Sequence, residues 1–310
     1  MTTILITGGT GMIGKSLTEA LLEKNYKVII LSRKISKQQP VTGNLSYAEW
    51  NIAGQTIDKE AIARADYIIH LAGEGIADKR WTKKRKQEIV DSRVKSGELL
   101  VKVLQEIPNK VKAVISASAI GWYGADTVIP NPKPFTEDDP ADSSFLGATC
   151  QQWENSTEPV TQMGKRLVKL RTGIVLSKEG GALKEFERPI RFGIATILGN
   201  GRQVISWIHI DDLIRLYIAA IEDDHMRGAY NAVAPKPVSN KELMLQLAHT
   251  KKGKFFIPVH VPSFALKIAL GEMSIEVLKS ATISCDKIHY SGFTFLYPTI
   301  EAAIKNLEGN

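Results

Sequence analysis

The run Thr7-Gly8-Gly9-Thr10-Gly11-Met12-Ile13-Gly14 constrains this chain more than any other feature. It joins an apolar, β-like stretch, Thr3–Thr7, to a stretch with apolar residues at helical spacing, Met12–Lys24. Its glycines fit G-x-x-G-x-x-G at Gly8, Gly11 and Gly14, and G-x-G-x-x-G at Gly9, Gly11 and Gly14. Early glycines in such a loop permit a tight turn and let backbone N–H groups approach a pyrophosphate. The last lets helix and strand pack closely, with the helix N-terminus facing the phosphates. The strand-turn-helix setting therefore predicts dinucleotide binding by Thr7, Gly8, Gly9, Thr10, Gly11, Met12, Ile13 and Gly14.

The same alternation continues. Lys27–Leu31, Tyr67–Ala72, Val111–Ala117 and Arg166–Leu170 read as strands, and Lys83–Gln105, Ser143–Met163 and Asp211–Ile221 as helices. This predicts an α/β fold: a Rossmann doubly wound parallel sheet over residues 1–170, with some later segments returning to it. Past residue 175 the pattern is less regular, with helix fragments at Asn240–Ala248 and Val277–Ala281. Residues 171–310 are expected to form a smaller, mixed α/β substrate-side region.

The choice of dinucleotide is made at the end of the second strand. A carboxylate there would accept the ribose 2′-OH of NAD, but the chain has Ser32-Arg33-Lys34. A guanidinium binds a 2′-phosphate by charge-assisted hydrogen bonds, so NADP(H) is expected over NAD(H), held by Ser32 and Arg33.

The 40 Lys and Arg residues exceed the 33 Asp and Glu, a net charge of +7 that suits an anionic small ligand as well as nucleic acid. The basic run over residues 79–95 has one interleaved aromatic, Trp81, which argues against nucleic acid. The two cysteines, Cys150 and Cys285, build no disulfide framework or Cys-based zinc site. His209 has no second His or Cys at ligand spacing, and a structural role is expected for it. No metal, no nucleic acid and no membrane span are expected, and cytoplasmic localisation follows by default.

Further motifs carry a family resemblance. Thr7–Gly14, His70-Leu71-Ala72-Gly73, the run Ser116 to Gly124 and Trp207-Ile208-His209-Ile210-Asp211-Asp212 resemble the extended short-chain dehydrogenase/reductases. Arg80-Trp81-Thr82, Arg85-Lys86, Ser92-Arg93, Trp153-Glu154, Gly199–Gln203 and Gly292-Phe293-Thr294-Phe295 with Tyr297-Pro298 are similar to atypical epimerase family proteins ending in a domain of unknown function. The resemblance implies a Ser/Thr, Tyr, Lys and usually Asn tetrad, with Tyr and Lys four apart on one helix. None of the eight tyrosines has Lys at the fourth following position. Aligning Glu154 puts Leu146 and Cys150 in the Tyr and Lys slots, and Arg93 where the Asn would lie.

By this reading Ser118, with Ser116 its rival, and Tyr123 are the remaining catalytic candidates. Leu71, Ala72, Gly73, Glu74, Arg93, Ser116 and Ala117 join the cofactor site; Arg80, Trp81, Trp122, Arg202 and Trp207 fall on the substrate side. The expected function is an NADP(H)-binding oxidoreductase or epimerase-like protein acting on a small molecule, an anionic one in one reading. The alternative, motivated by the missing Tyr–Lys pair, is a non-catalytic NADP(H)-dependent binding or regulatory protein, a role that the division-related labels of some members of the resembled family also fit.

Overall fold

The computed structural model describes residues 1–35 and 43–309. Its first half runs β1 (Thr3–Thr7), α1 (Met12–Glu23), β2 (Lys27–Ser32), β3 (Leu45–Asn51), β4 (Thr56–Ile57), α2 (Lys59–Arg64) and β5 (Tyr67–His70). Next come α3 (Lys83–Glu106), β6 (Ala113–Ala119), α4 (Phe145–Thr157), β7 (Arg166–Thr172), β8 (Ile174–Leu176), α5 (Ala182–Ile190) and β9 (Ile194–Leu198). Then follow β10 (Val204–Ile205), β11 (Trp207–His209), α6 (Ile210–Glu222), β12 (Gly228–Ala232), β13 (Val238–Ser239) and α7 (Asn240–Lys252). The chain closes with β14 (Ile257–Val261), α8 (Ser263–Leu270), α9 (Met273–Leu278), α10 (Asp286–Tyr290) and α11 (Ile300–Glu308).

The main sheet has the order β12-β7-β6-β5-β1-β2-β3-β4. Every neighbouring pair is parallel except β3 with β4. Both faces are covered, as a parallel sheet requires. Residues of β1 alternate between two cores: Ile4 and Ile6 pack with Leu17 and Leu21 of α1 and Leu213 and Tyr217 of α6. Leu5 packs with Ile62 of α2 and Leu99, Leu100 and Val103 of α3. Each such side chain contributes about 1.5–3 kcal/mol of burial. A third core joins Leu183, Trp207, Leu243, Leu247, Ile304 and Leu307 beside the sheet. Strand order reverses at β1, with β2 on one side and β5 on the other, and a crevice opens there at the C-terminal edge.

Three segments differ from expectation. The helix read over Ser143–Met163 ends at Thr157 and passes into 3-10 turns over Glu158–Met163, where Pro159 cannot donate a helical N–H. Residues 279–281, expected as helix, are drawn out of α9 by polar partners: Ser280 Oγ donates to Asp126 Oδ2 (2.8 Å) and accepts from Val204 N (2.8 Å). β6 begins two residues later than read and extends to Ala119, in register with Thr172.

Candidate cofactor site

The glycine loop is built by close approach. Gly8 has φ +70°, and a Cβ on it would lie 2.9 Å from the Leu71 carbonyl carbon and oxygen. A Cβ on Gly9 would meet the Ile30 side chain at 2.9 Å, and one on Gly14 would run into Gly8 O and the Gly9 backbone. The loop is thus wedged between the ends of β2 and β5. Gly11 is the N-cap of α1 and offers no side-chain acceptor, which leaves the first N–H groups of the helix for an anion. The residues expected to cradle a pyrophosphate run from the end of β1 at Thr7 through this turn into the first residues of α1, and the close-packed turn before an uncapped helix start fits such a group.

A directed hydrogen-bond chain holds the facing loop. Thr7 Oγ1 accepts from Leu71 N and Ala72 N, both at 3.1 Å, so its own proton goes to His70 Nδ1 at 2.8 Å. His70 Nε2–H then donates to Ser96 Oγ at 3.2 Å, and Ser96 donates onward to Ser92 O at 2.8 Å. Ser92 Oγ accepts from Glu74 N at 3.0 Å. His70 is fully buried, and burial lowers its pKa to about 4. The neutral ring is therefore required in the folded state.

This sets a pH dependence. Because the folded pKa lies below the ordinary 6.5, the unfolded chain takes up the proton first, and stability present above pH 6.5 is lost as pH falls toward about 4. The loss expected from this residue is about 3 kcal/mol. Urea midpoints of wild type and His70→Asn between pH 7 and 4.5 measure it; parallel curves would refute it.

Charged side chains stand near the glycine turn and the loop facing it. Arg33 extends from the end of β2, largely exposed, with Nη1 3.5 Å from Glu74 Oε1. Arg85 is buried and binds Glu88 at 3.1 Å and the Gly75 carbonyl at 2.7 Å. Arg93 lies with its Cζ 5.0 Å from the Trp153 ring centroid, below Gly73, where a Cβ would come within 3.1 Å of that Cζ. It stands near Cys150, whose thiol is pushed up to about 12, mainly by burial. A cation from α3 thus stands near Cys150, the residue of α4 that the resemblance puts in the lysine slot.

Ser118 and Tyr123 are placed differently from the sequence reading. Strand alternation turns Ser118 away from the half-exposed side of β6, which Ala117 and Ala119 occupy. Its Oγ donates to Glu154 Oε1 at 2.7 Å. Arg171 clamps the same carboxylate through Nε (2.8 Å) and Nη2 (3.2 Å), and lies 3.7 Å from the Trp122 ring centroid. Tyr123 is fully buried; its hydroxyl donates to Asn231 Oδ1 at 2.6 Å and accepts from Arg171 Nη1 at 3.0 Å. Burial outweighs the arginine and pushes the phenol up to about 12. As placed, neither hydroxyl faces the crevice with a proton to give. Ser116 shares the buried face.

On the substrate side, Trp81 packs edge-on against Phe145 at 5.0 Å, and Arg80 Nη2 donates to Ile268 O at 3.2 Å. Lys86 pairs with Glu272. Part of the basic run therefore ties the first half of the chain to α8 and α9. Trp207 is fully buried in the third core, and its indole N–H donates to Lys236 O, so it lines no cleft. Arg202 is exposed beyond β9, and Trp122 is a half-buried wall bonded to Asp139 O. His209 caps α6, Nδ1 accepting from Asp211 N at 3.1 Å. Sequence reasoning missed the Glu154–Arg171 clamp, because α4 is mixed in composition and β7 carries two further cations, so nothing local singles out this pair. Among the described residues no cluster of side chains could hold a metal ion, and no helix is long and apolar enough to cross a membrane.

The sheet order and the glycine cradle define a dinucleotide-binding protein of the extended short-chain dehydrogenase/reductase class. Residues 4–232 match the NAD dependent epimerase/dehydratase family, and the chain belongs to it. Residues 261–307 match a domain of unknown function (DUF1731). Epimerase family protein YfhF of Bacillus subtilis is 36% identical over 98% of this chain and 97% of its own length. The crystal structure of human epimerase family protein SDR39U1 (isoform 2) with NADPH superposes with a TM-score of 0.87, at 28% identity over all of both chains. UDP-glucuronic acid 4-epimerase from Bacillus cereus, solved with UDP-glucuronic acid and NAD, shares the fold at a TM-score of 0.79 and 20% identity, over 99% of this chain and 98% of its own.

Proposed function

We propose that this protein binds NADP(H) and acts on a small molecule as an oxidoreductase or epimerase-like enzyme that works without a Tyr–Lys pair. The observation that carries the reading is the glycine cradle at the strand-order reversal, flanked by an exposed arginine at the end of β2. The NADPH bound by human SDR39U1 supports it. When bound, the nicotinamide supplies a hydride donor or acceptor.

The chain's own residues divide the remaining work. Gly8 to Gly14 and the start of α1 receive the pyrophosphate and Arg33 the 2′-phosphate, with Arg93, beside Gly73, a further cation of the cofactor site. With Ser118 committed to Glu154 and Tyr123 to Asn231, the reaction proton is left to water or to the substrate's own groups. Those same commitments favour the second reading, a non-catalytic NADP(H)-dependent binding or regulatory protein. Purified protein, NADPH and a panel of carbonyls, quinones and sugar nucleotides separate the two. Turnover supports the enzyme; NADPH binding with no turnover across the panel supports the regulator.

Arg33→Asp tests the cofactor choice. Loss of a charge-assisted bond and gain of repulsion should weaken NADPH by about 30- to 100-fold relative to NADH. Fluorescence titration with both nucleotides measures this, and an unchanged ratio would show that Arg33 holds no 2′-phosphate.

A further inference from the structure

β2 and β5 flank β1, so the ends of the two outer strands face each other across the glycine loop. Gly8 seats the loop against Leu71 and Ala72, and Gly9 seats it against Ile30. Above this wedge, among the described residues, the crevice is spanned by the ion pair of Arg33 Nη1 with Glu74 Oε1 at 3.5 Å. Glu74 is fixed from behind: its Oε2 stands 3.6 Å from Arg85 Nη1, and its N–H donates to Ser92 Oγ. Arg85, with only 7% of its side chain exposed, also faces Glu88 and Asp78. Two arginines thus meet three carboxylates. The arginine expected to take a phosphate already has an anion.

We propose that Glu74 is a specificity-determining residue of the nucleotide site: it competes with the 2′-phosphate of NADPH for Arg33 and offers the 2′-hydroxyl of NADH an acceptor. The proposal rests on the NADP(H)-binding reading above. The side chains differ in freedom. Arg33 is 77% exposed and free to turn, whereas Glu74 is held by Arg85 and Ser92. An exposed ion pair of this kind contributes little, so a phosphate can take Arg33 away from it. Glu74 then retains Arg85 and is not left as a carboxylate without a cation. Its charge nevertheless remains beside the phosphate and weakens NADPH binding. A ribose bearing a hydroxyl instead meets an acceptor in Glu74. The structure therefore gives Glu74 opposite effects on the two cofactors and narrows the preference that Arg33 alone would set.

The test is titration of wild type, Glu74→Gln and Glu74→Asp with NADPH and with NADH, with melting curves confirming that each variant folds. Glu74→Gln should tighten NADPH and weaken NADH, each by about fivefold, raising the NADPH/NADH affinity ratio at least about tenfold. Glu74→Asp keeps the charge but withdraws it from Arg33, and its ratio should fall between the other two. A wild type that binds NADPH while Glu74→Gln leaves the ratio within about twofold overturns this proposal and spares the reading beneath it. A wild type that binds neither nucleotide overturns the reading itself.

Discussion

A Gly14→Val chain should bind no measurable NADPH and melt well below wild type. A Cβ at residue 14 is directed at Gly8 O and the Gly9 backbone, atoms that cannot rotate aside as a flexible side chain would. Either α1 withdraws from β1, which opens the core that Leu17 and Leu21 share with Ile4 and Ile6, or the loop is pushed off Leu71. Overpacking of this kind costs about 1–3 kcal/mol or more, and the phosphate seat is lost in both cases. NADPH fluorescence titration with a thermal melt checks it. Wild-type affinity in the variant would mean that the close packing described for the loop is wrong.

The second large effect is expected from Arg171→Met. Glu154 is 3% exposed, and its carboxylate is held by Arg171 Nε and Nη2, with Ser118 Oγ and Lys169 Nζ as further partners. Removing the guanidinium leaves a buried charge with Lys169 Nζ, at 3.5 Å, as its cation and Ser118 Oγ as its remaining donor, and also takes a donor from Tyr123 and a stacking partner from Trp122. Breaking one side of such a pair costs about 3–5 kcal/mol, a large part of the 5–15 kcal/mol that holds a typical domain. Urea unfolding at pH 7 measures the loss. The double variant Arg171→Met with Glu154→Leu should recover much of it, because then no charge is left buried alone. Equal stability of wild type and the single variant would place this network at the surface.

The first half of the fold was legible because its signals are local. β1 and β2 are nearly continuous apolar runs, and the glycine loop marks the first turn, so the centre of the main sheet is legible from Thr3 onward. β3, with the mixed composition LSYAEWN, carries no such run and was not read. The glycine turn was legible for the same reason: backbone geometry at Gly8, Gly9 and Gly14 is dictated by residue type. The interior polar groups were not. Which way Ser118 faces depends on the register between β6 and β7, and what Tyr123 touches depends on Asn231, more than one hundred residues away. Residues 279–281 show the same limit, since their conformation is set by Asp126 and Val204 rather than by local propensity.

The core between the sheet and helices α1 and α6 draws on both ends of the chain: Ile4 and Ile6 from the first strand, Ile283, Ile288 and Phe295 from the last stretch. As the chain emerges during synthesis, the strands around β1 and the helices α2 and α3 can assemble early, because their partners are near in sequence. The opposite face carries only α1 until α6 arrives, and β7 keeps an open edge until β12 lies beside it. Contacts of such long range form late and slowly. A nascent chain of this protein therefore carries a formed glycine loop on a half-covered sheet, and Ile283, Ile288 and Phe295 close the core that Ile4 and Ile6 begin.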